Sequence, residues 1–513
     1  MILNADEYLS KVQGCWMGKN IGGTLGAPFE WKRRVNNVSF YTQDLGGEPL
    51  PNDDLDIQLL WLVALEEMGV ELNAHILSEY WVLYLTPHWS EYGIAKTNMR
   101  LGLVPPLSGT MFNEYKDSCG SFLRSEIWAC IAPGNPRLAT RYAYQDSIID
   151  HGNGEGTYAE VFCAAIESAA FVCQDITTLI QVGLSYIPEN CGVAGAVREA
   201  LACYQSGKTW REARDTILDK YRGLMFFNQR NQISDEDWNR GFGTGKRGWD
   251  APSNIGMIII GLLYGEGDFG KSVCTAVNCG EDTDCTGATL GSLFGILHGI
   301  QAIPESWIAP IGRKIKTACL NLGELGYYGN QLPADVDNLT ERTIRIARQV
   351  IARYNSVVRI KDGQPSDLSD LNVETLMAGP EIDNLYNNIN ASMYSFDFFD
   401  IYVDYGQEGA IIRDLAPKTV ILRIYNRYKV QANLNIHWYT PDDWQITPSK
   451  EGYALSLPPH LGEQILLTYQ VEVAQVKQPL IRAAIEITIG GRPTVMLVPV
   501  LFVNGNILPS NNR

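Results

Sequence analysis

Glycine recurs every four residues in two distant parts of the chain. One series is Gly14, Gly18, Gly22 and Gly26, and the other is Gly287, Gly291, Gly295 and Gly299. A spacing of four keeps the members of a series on one face of a helix. Because glycine inside a helix costs about 1 kcal/mol relative to alanine, each series predicts a helix whose backbone closely approaches a neighbouring element.

Stripes of small residues are also typical of helix contacts within membranes. Lys19 and Asn20 lie within the first run, and neither run contains about 18 uninterrupted apolar residues, the length needed to span a bilayer. We therefore expect no membrane-spanning helix and no membrane partner.

Two acidic clusters each open an apolar run with helical periodicity. The first is Asn52-Asp53-Asp54-Leu55-Asp56, before IQLLWLVALEEMG, and the second is Asp282-Thr283-Asp284, before CTGATLGSLFGILHG. A single cluster would be interpreted as helix capping, since carboxylates favour the exposed N–H groups of a first turn. Two clusters suit the coordination of a hard cation by oxygen ligands. If they meet in space, they predict an enzyme.

The bulk composition limits the class of protein. With 513 residues, the chain is expected to fold as more than one domain. The formal net charge of −17 and the lack of a basic run exclude nucleic acid as an expected partner. The N-terminus has no visible signal peptide. The 11 cysteines, an odd number without CxxC pairs, indicate reduced thiols. We predict a cytoplasmic protein.

The hydrophobic period changes along the chain. Before about residue 355, runs such as YAEVFCAAIESAAFV and TIRIARQVIARYN show helical spacing. After about residue 390 the period becomes two, as in Ala432, Leu434, Ile436 and Trp438. We predict an all-α orthogonal bundle at 1–355, a linker at 356–390, and an antiparallel immunoglobulin- or fibronectin-like β-sandwich at 391–513.

Four motifs of the helical region occur in a characteristic order. They are GCWMGKNIGGTLGAPFE, NDDLD, a central histidine segment followed by an alanine-rich helix within APGNPRLATRYAYQDSIIDHGNGEGTYAEVFCAAIESAAF, and GEDTDCTGATLGSLFGILHG. In order and spacing they resemble the ADP-ribosylglycohydrolase family, which includes dinitrogenase reductase-activating glycohydrolases and ADP-ribosyl-acceptor hydrolases. The resemblance covers most of the helical region and none of the β region.

The resemblance implies an all-α domain that holds two Mg²⁺ ions, with Mn²⁺ as an alternative, and that cleaves a glycosidic bond of an ADP-ribosyl group. The implied metal ligands are Asp53, Asp54, Asp282 and Asp284. Glu30 closes the first motif and is implied to handle a proton or orient water. Asp53, Asp282 and Glu30 are thus the expected catalytic residues, and a metal-activated water is the expected nucleophile.

The chain departs from the family pattern at the metal site. Asn52 stands where the family has a ligating Thr or Ser, and it still offers an amide oxygen. Cys285 stands where the family has a Thr, and sulfur suits Mg²⁺ poorly. Thr286, one position further on, is a candidate replacement ligand.

The expected substrate contacts lie in two segments. In DSCGSFLRSEIW, only Gly120 and Ser121 remain as candidates for a loop that cradles a diphosphate. His151 lies in a polar loop, which favours a substrate contact, and Asn153, Gly154 and Tyr158 are candidates for the same pocket.

Three hypotheses follow. The first is metal-dependent hydrolysis of an N- or O-glycosidic bond in an ADP-ribosyl or related ribosyl substrate, so the expected partner is a small-molecule or ADP-ribosylated substrate. The second is hydrolysis of another glycoside that lacks a diphosphate. The third is a non-catalytic ligand-binding relative with a decayed site. The β region is expected to shape the pocket mouth, to bind carbohydrate or to mediate an oligomer.

Overall fold

The chain forms two compact units. The computed structural model describes residues 1–224, 230–242, 250–323, 332–428, 430–461 and 464–508. The first unit contains residues 1–96 and 112–382, and the second contains residues 97–111 and 383–513. The last five residues of the predicted β domain, 509–513, lie outside the described part of the chain.

Helices dominate the first unit, as predicted. In chain order, the α-helices of the described residues are α1 (Ala5–Gly26), α2 (Asp53–Met68), α3 (Ala74–Tyr84), α4 (Ser90–Leu101), α5 (Leu107–Thr110), α6 (Glu126–Ile131), α7 (Pro136–Ser147), α8 (Glu155–Ala170), α9 (Ile176–Ser185), α10 (Gly192–Gln205), α11 (Trp210–Tyr221), α12 (Asp235–Asn239), α13 (Ala251–Tyr264), α14 (Phe269–Asn278), α15 (Thr283–His298), α16 (Glu305–Ile308), α17 (Val336–Arg353) and α18 (Glu381–Asn387). The runs expected to be helical lie in α8, α10, α11 and α17. The helical interpretation of this region is confirmed.

The two glycine series face each other across an antiparallel contact between α1 and α15. A Cβ atom added at Gly14 would lie 2.7 Å from the carbonyl oxygen of Gly295, and one added at Gly18 would overlap the backbone of Gly291. Gly22 meets Gly287 in the same way, so the two backbones touch along three successive turns. The predicted close approach is confirmed, and the neighbour of each series is the other series.

Helix α1 is buried around most of its circumference, which makes it a central element of the first unit. Its charged Lys19 is fully buried and forms an ion pair with Glu126 at 2.8 Å. A buried charge is tolerated when it is paired and hydrogen-bonded. Lys19 also donates a hydrogen bond to the carbonyl of Leu123, which ties α1 to the segment before α6.

Part of the predicted linker has regular structure. β2 (Arg359–Lys361) pairs in parallel with β1 (Ile2–Asn4). The backbone N–H of Ile2 also donates a hydrogen bond to the carbonyl of Asp367 at 2.9 Å. The start of the chain is thereby fixed against residues that follow α17, an arrangement that the sequence analysis did not predict.

Within its described residues, the second unit contains two five-stranded sheets. Its strands are β3 (Ala391–Ser395), β4 (Phe399–Asp404), β5 (Ile411–Ile412), β6 (Lys418–Asn426), β7 (Ala432–Tyr439), β8 (Trp444–Thr447), β9 (Glu451–Ser456), β10 (Ile465–Val473), β11 (Leu480–Ile489) and β12 (Val495–Asn504). The sheet orders are β3-β4-β6-β10-β8 and β5-β12-β11-β7-β9.

Buried residues from both sheets form one apolar cluster, as expected for two packed sheets. In β7, alternate side chains from Ala432 to Trp438 are buried, which confirms the predicted period of two. β5 pairs in parallel with β12, whereas the sequence analysis predicted antiparallel pairing throughout. The immunoglobulin- or fibronectin-like detail stays a prediction.

The second unit also includes residues 97–111, which the sequence analysis assigned to the helical domain. Leu103, Leu107 and Met111 are buried in the same apolar cluster as the two sheets. The side-chain amide of Asn98 closes this segment on itself, because it donates hydrogen bonds to the carbonyls of Ser108 at 2.8 Å and Met111 at 2.7 Å. The β-rich unit is therefore built from two separate stretches of chain.

All eleven cysteines lie in the described residues as free thiols, in agreement with the expected reduced state. Among the helices of the described residues, none combines the length and the apolar character needed to cross a bilayer.

We expect Gly18→Ala to lower the free energy of unfolding of the first unit. The added methyl group overlaps the backbone of Gly291, which cannot move aside as a side chain could. A loss of about 1–3 kcal/mol is typical of overpacked interiors. Chemical denaturation followed by far-ultraviolet circular dichroism measures it. Gly323→Ala is the control, because the nearest atom to its added Cβ lies 3.7 Å away. An equal effect of the two substitutions would contradict the close approach.

We expect Leu107→Ala to destabilise the β-rich unit by about 2–5 kcal/mol, the range for truncating a buried leucine. Leu107 is 3% exposed within the apolar cluster of the two sheets. Leu101→Ala is the matched control from the same segment, since Leu101 is 44% exposed. Thermal unfolding measured by calorimetry compares the two variants. If both substitutions lower the stability by the same small amount, the segment does not stabilise the sheets.

Candidate active site

Three chain segments meet at one end of the α1–α15 contact. Because the helices are antiparallel, the C-terminus of α1 lies beside the N-terminus of α15, where a Cβ at Gly26 would overlap the backbone of Thr283. The Thr283 hydroxyl donates a hydrogen bond to the carbonyl of Gly26 at 2.8 Å. The N-terminus of α2 joins them, since the Asp54 Oδ1 atom accepts from the Cys285 thiol at 3.3 Å. The two acidic clusters of the sequence thus come together.

A cavity of about 400 Å³ opens at this junction. Six of the predicted site residues line it, namely Glu30, Asp53, Gly120, Asp282, Asp284 and Cys285. Asp54 does not line the cavity. It is fully buried and touches Cys285, which does.

The carboxyl groups lie close enough to share bound cations. Ligand atoms of Glu30, Asp282 and Asp284 all lie within 4.8 Å of one another, and so do those of Asp54, Asp284 and Cys285. Burial, reinforced by the negative charge of Asp284, raises the pKa of Glu30 to about 10. Burial also raises the pKa of Asp282 to about 8. The same causes hold the pKa values of Asp54 and Asp284 well above their ordinary range. This crowding of buried acids is what a bound cation would relieve.

Hydrogen bonding supports the same conclusion. Three buried carboxylate oxygens, Asp54 Oδ2, Asp282 Oδ1 and Asp284 Oδ1, have no hydrogen-bond partner among the described residues. Buried polar atoms are normally paired, and carboxylate oxygens are preferred ligands of Mg²⁺ and similar hard cations. The donor set therefore fits a divalent metal centre.

Asn52 and Thr286 lie beside the acidic cluster in other roles. The Asn52 side-chain oxygen caps α2 by accepting from the Asp54 backbone N–H at 2.8 Å. Its amide nitrogen packs where a Cβ at Gly23 would lie, so this glycine makes room for it. The Thr286 hydroxyl donates to the Thr283 carbonyl at 3.4 Å, and neither Asn52 nor Thr286 lines the cavity.

Asp250 is a cavity residue that the sequence analysis missed. It lines the cavity, and burial raises its pKa to about 7. The side-chain amide of Asn254 donates to Asp250 Oδ2 at 3.3 Å, and its oxygen accepts from the backbone N–H of Asp282 at 3.2 Å. Asn254 therefore fixes Asp250 relative to Asp282. The sequence offered no separate signal for Asp250, which lies far from both acidic clusters.

Asp56 supports one wall of the cavity. Its Oδ2 atom accepts hydrogen bonds from the backbone N–H groups of Ala318 and Cys319, each at 2.6 Å. Both of these residues line the cavity. Asp56 itself is fully buried.

Cys119 is a second unpredicted cavity residue. Its thiol donates to Asp282 Oδ2 at 2.6 Å. Ligand atoms of Cys119, Asp282 and Cys285 lie within 4.8 Å of one another. The cluster thus contains two thiols beside its carboxylates, whereas the sequence analysis identified only the thiol of Cys285.

The predicted diphosphate cradle is packed against a carboxylate. A Cβ at Gly120 would overlap Glu91 Oε1, and Glu91 also lines the cavity. Ser121 is fully buried, and its hydroxyl donates to the Gly156 carbonyl at 2.6 Å. A carboxyl group therefore lies directly beside Gly120, and Ser121 does not line the cavity.

His151 is fully buried behind the cavity. Its Nε2 atom lies 3.1 Å from the hydroxyl of Ser118, which lines the cavity, and its Nδ1 atom lies 3.0 Å from Asp150. Arg124 binds Asp150 at 2.6 Å and also donates to the Gly120 carbonyl at 2.6 Å. This polar network holds the segment that carries Ser118 and Gly120.

The remaining predicted contacts surround the same network. Asn153 accepts a hydrogen bond from Lys116 at 2.9 Å. Gly154 precedes α8 and packs against the Lys116 carbonyl. Tyr158 is partly buried in α8. None of these three residues lines the cavity.

Buried arginines hold the turn before α15. Glu281 has a positive φ of 68°, a strained conformation for a non-glycine residue. Its carboxylate is fixed by Arg222 and lies 3.5 Å from Arg33. Its carbonyl accepts from the Trp31 backbone N–H at 3.0 Å. These contacts set the position of the adjoining Asp282 relative to Glu30.

Solved structures were compared with the whole chain. Eighteen chains match. One is the crystal structure of a FixG-related protein from Vibrio parahaemolyticus, which is 13% identical with a TM-score of 0.17 and covers 23% of this chain and 97% of its own. A TM-score this low supports no inference about fold or function. No curated protein matches the chain.

Comparison with protein families concerns the helical unit. The ADP-ribosylglycohydrolase family model matches residues 4–343, which include the glycine-paired helices and both acidic clusters. This match confirms the resemblance drawn from the motifs. Because the matched residues make up more than half of the chain, the chain belongs to the ADP-ribosylglycohydrolase family.

Proposed function

We propose that this protein is a metal-dependent glycohydrolase that cleaves an N- or O-glycosidic bond of an ADP-ribosyl or related ribosyl substrate. The observation that carries the proposal is the meeting of carboxylates from three chain segments in one cavity, with three oxygens unpaired among the described residues. Family membership supports a hydrolase. We further propose two Mg²⁺ ions, with Mn²⁺ as an alternative, as the cations.

Asp53, Asp54, Asp282 and Asp284 would hold the cations. When bound, divalent cations of this kind supply a polarised water and offset charge that develops on oxygen. The start of α2 presents Asp53 and Asp54, and the start of α15 presents Asp284, so rigid helices fix the ligands. Asn254 and the buried turn at Glu281 fix Asp282. Such support is needed because small displacements of reacting groups cost large factors in rate.

Glu30 would handle the proton. Burial and Asp284 raise the pKa of its carboxyl group, so the proton is retained near neutral pH in the absence of a nearby positive charge. A positive charge held by the adjacent aspartates would lower that pKa and leave a carboxylate oxygen able to accept a proton from water. Glu30 therefore suits a general base whose protonation depends on the charge beside it.

The rest of the cavity suits a sugar and an attached ring. Four aromatic residues line it, namely Trp31, Trp89, Tyr92 and Tyr115. Aromatic side chains provide large apolar faces that pack against sugars and bases. A small-molecule or ADP-ribosylated substrate would place its scissile bond between these rings and the carboxylates. The cytoplasmic location and an oligomer formed through the β-rich unit remain predictions.

One observation favours a second candidate, a glycoside without a diphosphate. Glu91 lies against Gly120, where the sequence analysis placed a phosphate cradle. A carboxylate next to a phosphate is repulsive, whereas it can accept hydrogen bonds from the hydroxyls of a neutral sugar. In this candidate the metal ligands and Glu30 keep the same roles.

We expect Asp54→Asn combined with Asp284→Asn to abolish Mg²⁺ binding at millimolar concentration, because the variant removes two charges from the cluster. Isothermal titration calorimetry measures the binding. Hydrolysis of an ADP-ribosylated peptide should fall roughly 10²–10³-fold, the range for losing an electrostatic contact in the transition state. Asp175→Asn is the control, since Asp175 caps α9 and lies outside the cavity. A wild type that binds neither Mg²⁺ nor Mn²⁺ would contradict the proposal and point to a non-catalytic relative.

We expect Glu91→Gln to separate the two substrate classes. If the substrate carries a diphosphate near Gly120, removing the charge should lower KM for an ADP-ribosylated peptide about fivefold. That change corresponds to about 1 kcal/mol, the repulsion of two unit charges about 4 Å apart in water. KM for a phosphate-free aryl riboside should not change. Glu79→Gln, at an exposed position of α3, is the matched control. The second candidate would be favoured if the wild type hydrolysed the riboside faster than the ADP-ribosylated peptide and Glu91→Gln left the KM for the peptide unchanged.

A further inference from the structure

Two thiols face each other at the edge of the acidic cluster. Cys119 comes from the segment before α6, and Cys285 comes from the first turn of α15, yet both line the active-site cavity. Cys119 contacts Asp282 Oδ2 at 2.6 Å, and Cys285 contacts Asp54 Oδ1 at 3.3 Å. Each thiol therefore touches a carboxylate that the proposed function uses.

We propose that Cys119, Cys285 and Asp282 bind a thiophilic divalent cation such as Zn²⁺, beside a carboxylate position that prefers Mg²⁺ and that Asp282 and Asp284 form next to Glu30. The inference rests on the proposed function, because it assigns different metals to the two positions of the same site. The centre is then mixed rather than a pair of identical ions.

The ligand chemistry distinguishes the two positions. Thiolate sulfur favours Zn²⁺ and similar ions, whereas Mg²⁺ prefers oxygen. Zn²⁺ sites in proteins use Cys, His and carboxylate ligands, and a catalytic site keeps one position open. Two sulfurs and one carboxylate oxygen supply three ligands, and the cavity gives access to a fourth position for water or a substrate hydroxyl.

Asp282 is suited to bridge the two ions. Its Oδ2 atom lies beside Cys119, and its Oδ1 atom has no hydrogen-bond partner among the described residues. Asp282 is 4% exposed and Asp284 is 7% exposed, so their unpaired oxygens are buried at the cluster. Asp282 belongs to both ligand groups, Cys119-Asp282-Cys285 and Glu30-Asp282-Asp284.

Binding requires the thiols to lose their protons. Each sulfur that coordinates the ion releases one H⁺ to solvent, so two thiols and one M²⁺ give a bis-thiolate complex and two protons. No oxidant or reductant takes part. The ligands are deprotonated as in other thiolate metal sites.

A second thiol pair in the same unit provides a contrast. Cys15 and Cys130 lie 3.7 Å apart, but both are fully buried and neither lines the cavity. Cys119 and Cys285 differ in that they combine carboxylate neighbours with access to the cavity. The carboxylate neighbours and the access to the cavity, rather than the proximity of two thiols, therefore distinguish the proposed site.

Co²⁺ is the probe, because thiolate ligands give it an intense sulfur-to-metal charge-transfer band in the near ultraviolet. The chain is first reduced and stripped of metal, and Mg²⁺ is then added to saturation. We expect this protein to develop the band at one equivalent of Co²⁺ and to lose it when Zn²⁺ is added. Cys119→Ser and Cys285→Thr should each remove most of the band. Each should also weaken Zn²⁺ binding at least about tenfold, since even partners outside the ligand shell change metal affinity by about 10–100-fold.

Cys191→Ser is the control, because Cys191 caps α10 outside the cavity and serine preserves the cap. The proposal is overturned if the wild type gives no band, if both cavity variants keep it, or if the control loses it equally. It is also overturned if mild hydrogen peroxide removes two titratable thiols while reduced protein gives no band, since the pair would then be a redox disulfide.

Calorimetry with Mg²⁺ alone separates this inference from the proposed function. Mg²⁺ binding that persists in both cysteine variants, together with no Co²⁺ band in the wild type, would refute the thiolate site and leave the proposed hydrolase intact. A wild type that binds none of Mg²⁺, Zn²⁺ and Co²⁺ would refute both the thiolate site and the proposed hydrolase. Retained Mg²⁺ binding with the expected band changes would support both.

Discussion

The backbone contact between α1 and α15 is the constraint on which the active site depends. Two helices without side chains at their interface approach until carbonyl groups touch, and their register is then set by the positions of the glycines. That register places Gly26, the last residue of α1, beside Thr283 and Asp284 in the first turn of α15. A shift by one helical turn would move Asp282 and Asp284 by about 5.4 Å relative to Glu30, which exceeds the spacing of the ligand groups. The glycines therefore determine chemistry that occurs several residues away from them.

Buried arginines pair with several acidic residues of the first unit. Arg124 pairs with Asp146 and Asp150, Arg214 pairs with Asp237, and Arg222 pairs with Glu281, all in the interior of the first unit. These pairs fix loops and helix ends around the cavity. The carboxylates of Asp54, Asp282 and Asp284 keep unpaired oxygens within the described structure. Asp282 and Asp284 differ from the acids paired with arginine in that they also line the cavity.

Much of the candidate site could be predicted from the sequence, because most of its acidic residues lie in two short clusters that each begin a helix. Asp250 and Cys119 were not, since each is a single residue brought to the cavity by packing rather than by local spacing. His151 was expected to contact substrate because its loop is polar, yet its side chain is fully buried, with Nε2 3.1 Å from the Ser118 hydroxyl and Nδ1 3.0 Å from the Asp150 carboxylate. Residues 97–111 show a different limit. Helical periodicity shows which side chains are apolar, but not which unit buries them.

The two-part construction of the β-rich unit has a consequence for how the chain is made. Leu103, Leu107 and Met111 leave the ribosome long before β3 to β12, against which they are buried in the finished protein. These side chains stay without their final partners until the C-terminal strands have been synthesised. The helical unit, which contains residues on both sides of this segment, must therefore fold around an apolar loop that belongs elsewhere. A chain that ends before the strands would carry that loop as a permanently exposed apolar surface.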